Sequence, residues 1–218
     1  MEEDARRDEQ MITDGDQEMD IQQAARIIEQ ARAKARHELR TMHPAIYLAW
    51  AVVYLIGYGA IWLSVHGQHP YHAPPAGAIL GVFLLAAVAL AVTAAVVGRT
   101  TSGVGGASEG RRRITYLVLA IGYLGVLVLE GALGQAGASQ RVLGIYGAAA
   151  PILLIGLVFA ASAAAGMDWT AFCLGAWLIA AAALSGFAGP AGVWGVLALA
   201  VGAGFAALSA IAMRRIRS

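Results

Sequence analysis

The chain has 218 residues, 59% of them hydrophobic and only 13% charged, a balance outside that of an ordinary soluble domain. Its formal net charge of +1 is a cancellation. Residues 1–43 hold eleven acidic and seven basic side chains (net −4), whereas residues 44–218 hold eight Arg against Glu109, Glu130 and Asp168 (net +5). The overall charge therefore says nothing about nucleic-acid binding, and no nucleic-acid partner is expected.

Cys173 is the only cysteine, which excludes an intrachain disulfide and a cysteine-based metal site. It lies in an apolar helical run and is expected to be a small buried hydrophobe. Fourteen Arg against one Lys, with heavy Ala, Gly and Val use, points to a GC-rich genome.

In chain order, residues 1–19 are dense in Asp and Glu and are expected to be a disordered acidic tail, too poor in apolar area to offset ordering entropy. The Met-Glu-Glu-Asp start has no basic region followed by an apolar stretch, so insertion is expected to begin from the first span. Asp20 and Gln23 form a plausible helix start. Ile21, Ala24, Ile28, Ala31, Ala35 and Leu39 then recur every three or four residues, with Arg26, Arg32, Lys34, Arg36 and Arg40 around them. The spacing predicts a cytoplasmic amphipathic helix over 20–43. Two roles stand for it: lying on the anionic inner leaflet, or extending into solvent to supply topogenic charge.

Pro44 opens the apolar part. Spans are predicted at 45–65, 76–97, 114–134, 142–165, 169–187 and 190–212, each ~19–24 residues, enough for ~30 Å of hydrocarbon. Backbone groups in lipid must pair within their own segment, so these are helices. A single helix over 169–212 would run to about 60 Å or more, and Gly186, Gly189 and Pro190 mark a hairpin instead. The expected fold is an all-α membrane protein: six transmembrane helices over 44–213 and a basic cytoplasmic end at 214–218.

Basic residues occupy every second gap. Arg36 and Arg40 precede the first span, Arg99 and Arg111–Arg113 lie in the gap 98–113, and Arg214, Arg215 and Arg217 close the chain. The positive-inside bias then puts both termini in the cytoplasm, with Arg141 the one dissenter. Gly103–Ala107 reads as a flexible cytoplasmic linker.

Small residues form helix stripes: Ala198, Gly202, Ala206 and Ala210; Gly77 and Gly81, with Ala87, Ala91 and Ala95 on other faces; and Gly156, Ala160 and Ala164. Such stripes let helix backbones approach closely within one bundle, or between copies of the chain. Pro151 removes a ladder bond inside the fourth span and is expected to kink it. Tyr47, Trp50, Trp62, Tyr71 and Trp169 fit an aromatic belt at the interfaces. Tyr54, Tyr58, Tyr116, Tyr123 and Tyr146 include deeper positions, where a hydroxyl either bonds across helices or lines a polar cavity.

Glu130 is the one ionisable side chain well inside a span, ~24 Å up a ~30 Å core. An intramembrane carboxylate is costly and marks a functional position, here a polar site with Tyr123 and Tyr58. The plainer reading is a near-interface Glu that is hydrogen-bonded or paired with Arg141. His66, His69 and His72 in the outer loop could meet zinc or copper, although Pro70, Pro74 and Pro75 stiffen that loop and no carboxylate is near. No mid-span His supports haem. No nucleophile elbow, phosphate loop or His-Glu-x-x-His motif is present, so no enzyme activity and no cofactor are expected.

The segments Ala25-Arg26, Arg32 through Arg40, Pro44 through Trp50 and Gly57-Tyr58-Gly59 resemble the start of a family of uncharacterised multi-pass integral membrane proteins of high-GC Gram-positive bacteria. Proteins of that family are loosely labelled transporters or permeases. The resemblance covers chiefly residues 24–63 and implies plasma-membrane placement and helical topology, with no substrate or site residues to carry over. A basic helix ahead of six spans is also similar to the membrane subunits of one class of ATP-driven exporters, although no re-entrant segment separates the last two spans here. The expected function is permease-like, acting alone, as a homo-oligomer or beside an ATPase. The alternative is a scaffold or regulator that recruits a cytoplasmic partner through residues 1–43.

Overall fold

Apolar runs of this length leave the backbone no partner but itself, and helix follows. The computed structural model describes Gln23, Arg26 and residues 44–101 and 107–217. Among these residues there is no strand. Six helices follow Pro44: α1 (Pro44–Val65), α2 (Ala76–Thr101), α3 (Ala107–Gln135), α4 (Gln140–Gly166), α5 (Trp169–Ser185) and α6 (Gly189–Arg217). Gln23 and Arg26 are helical and exposed. The expected acidic tail, the rest of the amphipathic helix and most of the Gly103–Ala107 linker lie outside the described residues.

Five stretches are long and apolar enough to cross a membrane: Pro44–Val65, Ala76–Arg99, Arg113–Gln135, Gln140–Ala164 and Trp169–Arg214. The last has 46 residues, more than twice the ~20 that a crossing needs. It folds back on itself. A 3-10 turn at Gly186–Ala188 ends α5, and Gly189 takes a φ of 78°, which a residue without a Cβ adopts freely. Pro190 then sits in the first turn of α6, where its missing N–H costs nothing. Across this hairpin the Trp177 indole Nε1 donates to the Ala200 carbonyl at 2.9 Å.

Helices α1 and α6 run antiparallel along an aromatic seam. Ser209 Oγ donates to the Pro44 carbonyl at 3.0 Å. Tyr47 and Tyr54 lie on Phe205 at 6.4 and 5.7 Å between ring centroids, and Tyr58 on Trp194 at 5.2 Å. The start of α1 and the end of α6 are thereby held at one end of the bundle. Tyr71 against Gly144, and Ile145 beside Gly186, gather the 66–75 loop, the start of α4 and the α5–α6 turn at the other end.

Within α1 the residues Val53–Tyr58 form a π turn that buries Val53, Tyr54, Gly57 and Tyr58. One extra residue per turn lets successive positions face inward, so Tyr54 and Tyr58 meet α6 while Gly57 admits Val82 of α2. Trp50 Nε1 donates to Thr93 Oγ1 at 3.3 Å and completes the α1–α2 contact. The core lies among α1, α4, α5 and α6; α2 packs chiefly on α1, and α3 chiefly on α4.

Helices α4 and α5 approach most closely. A Cβ built on Gly175 would stand 2.6 Å from the Ala160 nitrogen, and one on Gly156 would stand 3.0 Å from the Gly175 carbonyl. In α6 a Cβ on Gly202 would collide with Leu55 of α1. Two of the expected stripes are therefore used within the chain. The stripe in α2 is not: Gly77 and Gly81 have nothing within 4 Å of a built Cβ.

Four further expectations are corrected. Cys173 is exposed, because the outward side of α5 has no helix against it. Tyr47 and Tyr71 are core residues and not belt residues, the first drawn onto Phe205 and the second folded inward with its loop. Helix α3 begins at Ala107, so Glu109 and Arg111–Arg113 are helical and not part of a loop. Helix α6 likewise runs on through Arg214 to Arg217.

Gly175→Ala is expected to lower stability by about 1–3 kcal/mol, because rigid backbone faces the new methyl. Gly77→Ala should change it by no more than about 0.5 kcal/mol. Unfolding of the purified protein in mixed detergent micelles checks both; equal stabilities for the two variants would contradict the close α4–α5 contact.

Candidate functional site

Helix α3 meets α4 along one stripe spaced four residues apart: Gly122, Val126, Glu130 and Gly134. A Cβ on Gly122 would lie 2.8 Å from Leu154, and one on Gly134 would lie 3.9 Å from Leu143. The Tyr146 hydroxyl donates to the Val126 carbonyl at 3.3 Å. Between these contacts, Glu130 Oε1 lies 2.8 Å from where a Cβ on Gly147 would sit. The carboxyl is thus aimed into the α3–α4 joint and not outward, and it fits because residue 147 has no side chain.

Tyr123 lies one position round the helix from Gly122 and is half-buried. It stands within electrostatic reach of Glu130 on its own helix and of Tyr54 and Tyr58 on α1. Helices α1 and α3 have no extended backbone packing among the described residues. Tyr123 thus stands within electrostatic reach of both Glu130 and Tyr58, and Tyr58 lies at the α1–α6 seam. Tyr116, by contrast, is exposed on the outside of α3.

Three neighbouring features were not read from the sequence. Gly147 is one glycine among 27, and only the α3–α4 register shows that it receives a carboxyl. Trp194 packs at a tilt against Tyr58, its Nε1 buried and without a hydrogen-bond partner among the described residues. Tyr71 has a buried, unpartnered hydroxyl pressed against Gly144.

His66, His69 and His72 are all exposed. The His66 ring lies 5.0 Å from Trp62. The loop is ordered by Gln68, whose Nε2 donates to the Ser64 carbonyl at 2.9 Å and whose Oε1 accepts from the His72 N–H at 3.2 Å. Among the described residues no group of three or more His, Cys, Asp or Glu is placed to hold a metal ion. The structure does not gather the three imidazoles.

Compared with protein-family models, curated proteins and solved structures, the chain matches none.

Zinc or copper is expected to shift the melting temperature equally in the native protein and in a variant combining His66→Ala, His69→Ala and His72→Ala. A metal-dependent rise that vanishes in the triple variant would show that the loop closes on a metal after all.

Proposed function

We propose that the chain is an integral plasma-membrane protein with six transmembrane helices, both termini in the cytoplasm, and a permease-like role. Two observations support the crossing count: the 169–214 stretch turns back at Gly189, and Pro44 and Ser209 meet at one end. The basic residues Arg99, Arg113 and Arg214 belong to that same end of the helices, as the positive-inside bias requires of the cytoplasmic side. Membership of the permease-like family suggested by residues 24–63 accords with this reading.

The transport role rests on a single observation, the Glu130 carboxyl turned into the α3–α4 joint beside Tyr123. A carboxyl kept inside a membrane-length helix is expensive and marks a functional position by default, one use of which is to bind something that crosses. Tyr123 and Tyr58 extend the polar line toward the centre of the bundle.

A second reading is a non-transporting membrane scaffold or regulator that recruits a cytoplasmic partner through residues 1–43. The solid packing of α4 on α5 through Gly156 and Gly175 favours it, since that half of the bundle leaves no space for a solute.

Two experiments decide. Tags at Met1 and Ser218 should both be protected in intact cells and modified in inside-out vesicles; opposite behaviour at the two ends makes the crossing count odd and ends the six-span proposal. In proteoliposomes under an imposed potassium diffusion potential, an internal pH dye should report proton uptake that falls about tenfold or more in Glu130→Gln, with an unchanged melting temperature. Uptake equal to that of protein-free vesicles would leave the scaffold reading.

A further inference from the structure

Helix α4 contains a proline, Pro151, and still runs unbroken from Gln140 to Gly166. Proline has no N–H to give, so the carbonyl four residues earlier, that of Gly147, loses its ladder donor. Water would replace that donor at a protein surface. In an apolar setting an unmade carbonyl bond costs ~1–3 kcal/mol.

The group lying against Gly147 is the Glu130 carboxyl, with Oε1 2.8 Å, Cδ 3.4 Å and Oε2 3.5 Å from the position of a Cβ there. An ionised carboxylate can only accept hydrogen bonds; a protonated one has an O–H to donate. The other groups facing this joint do not compete for the role. From α4, the helix α3 chiefly packs on, Tyr146 gives its hydroxyl to Val126, and Arg141, the one charged residue of that helix, is exposed in its first turn. On α3 itself Tyr123 stands within electrostatic reach.

We infer that Glu130 and the Gly147 carbonyl form a proton-binding site, in which the protonated carboxyl donates to the acceptor that Pro151 leaves open. Taking up a proton then fastens α3 to α4, and losing it sets a negative charge beside a carbonyl oxygen and loosens the joint. The inference rests on the membrane placement proposed above and names the proton as the ligand of that polar site. It does not require that the proton be carried across.

The test uses the full chain in lipid nanodiscs, titrated with acid and base and followed by infrared difference spectroscopy. The other 13 of the 14 acidic side chains titrate in both proteins and cancel, so the native-minus-Glu130→Gln difference should contain one titrating protonated-carboxyl band. In Pro151→Ala the restored N–H of residue 151 takes the Gly147 carbonyl, so the protonated carboxyl loses its acceptor. Its midpoint should move to lower pH by about one unit, a tenfold fall in proton affinity. Gly147→Ala, whose methyl displaces the carboxyl, should move it in the same direction and serves if the proline variant does not fold.

A native-minus-Glu130→Gln difference with no titrating carboxyl band, or a midpoint unmoved by both substitutions, overturns the inference. Proton flux with no Glu130 band would sink this inference alone. A Glu130 band that shifts as expected, in vesicles that pass no protons, would sink the permease reading and leave the proton site standing.

Discussion

Hydrocarbon gives two apolar helices almost nothing for touching, since lipid tails serve either of them as well. What holds such a bundle together is close approach of backbones and interlock of shaped side chains, and the rest of this structure depends on where those are supplied. They are supplied unevenly. Gly156 and Gly175 bring α4 and α5 to backbone contact. The rings of Tyr47, Tyr54 and Tyr58 bind α1 to α6. Helices α2 and α3 have only one narrow stripe each, and most of their large apolar side chains, among them Phe83, Leu84, Ile121 and Val128, face outward.

That unevenness gives the polar site its setting. Glu130 does not sit in the tightly packed half. It sits in the α3–α4 joint, where a peripheral helix meets the core through Gly122, Val126, Glu130 and Gly134. A change in hydrogen bonding there acts on a contact that few other interactions secure, whereas the same change between α4 and α5 would be opposed by backbone packing. The aromatic line through Tyr123 and Tyr58 connects this loosely held edge to the core.

Hydropathy made the helices legible to within a few residues, because charge is excluded from the apolar stretches almost completely. The hairpin at Gly186–Pro190 was legible too, since only a turn explains Gly and Pro in an apolar run twice the length of a crossing. Helix ends were not. Glu109, Arg111–Arg113, Arg214 and Arg215 are good helix formers, and the backbone simply continues into these segments beyond the apolar limit. Facing was the hardest to read. Helices this rich in Ala, Gly and Leu are apolar on every side, so nothing in the sequence told the packed Gly175 from the open Gly77, or turned Cys173 outward. Glu130 stood out as a rare carboxyl, but its neighbour Gly147 became visible only once the two helices were in register.

The seam between α1 and α6 joins residues 165 positions apart, Pro44 to Ser209. Translation delivers α1 early and α6 last among these helices, so for most of its synthesis the chain holds an aromatic ridge with nothing to lean on. The α1–α2 pair and the α3–α4–α5 group can each form as soon as they are made. Closure waits for the final helix, which works as a clasp: until Phe205 and Trp194 arrive, α1 has, among the described residues, only the Tyr71 loop against Gly144 to tie its half to the other.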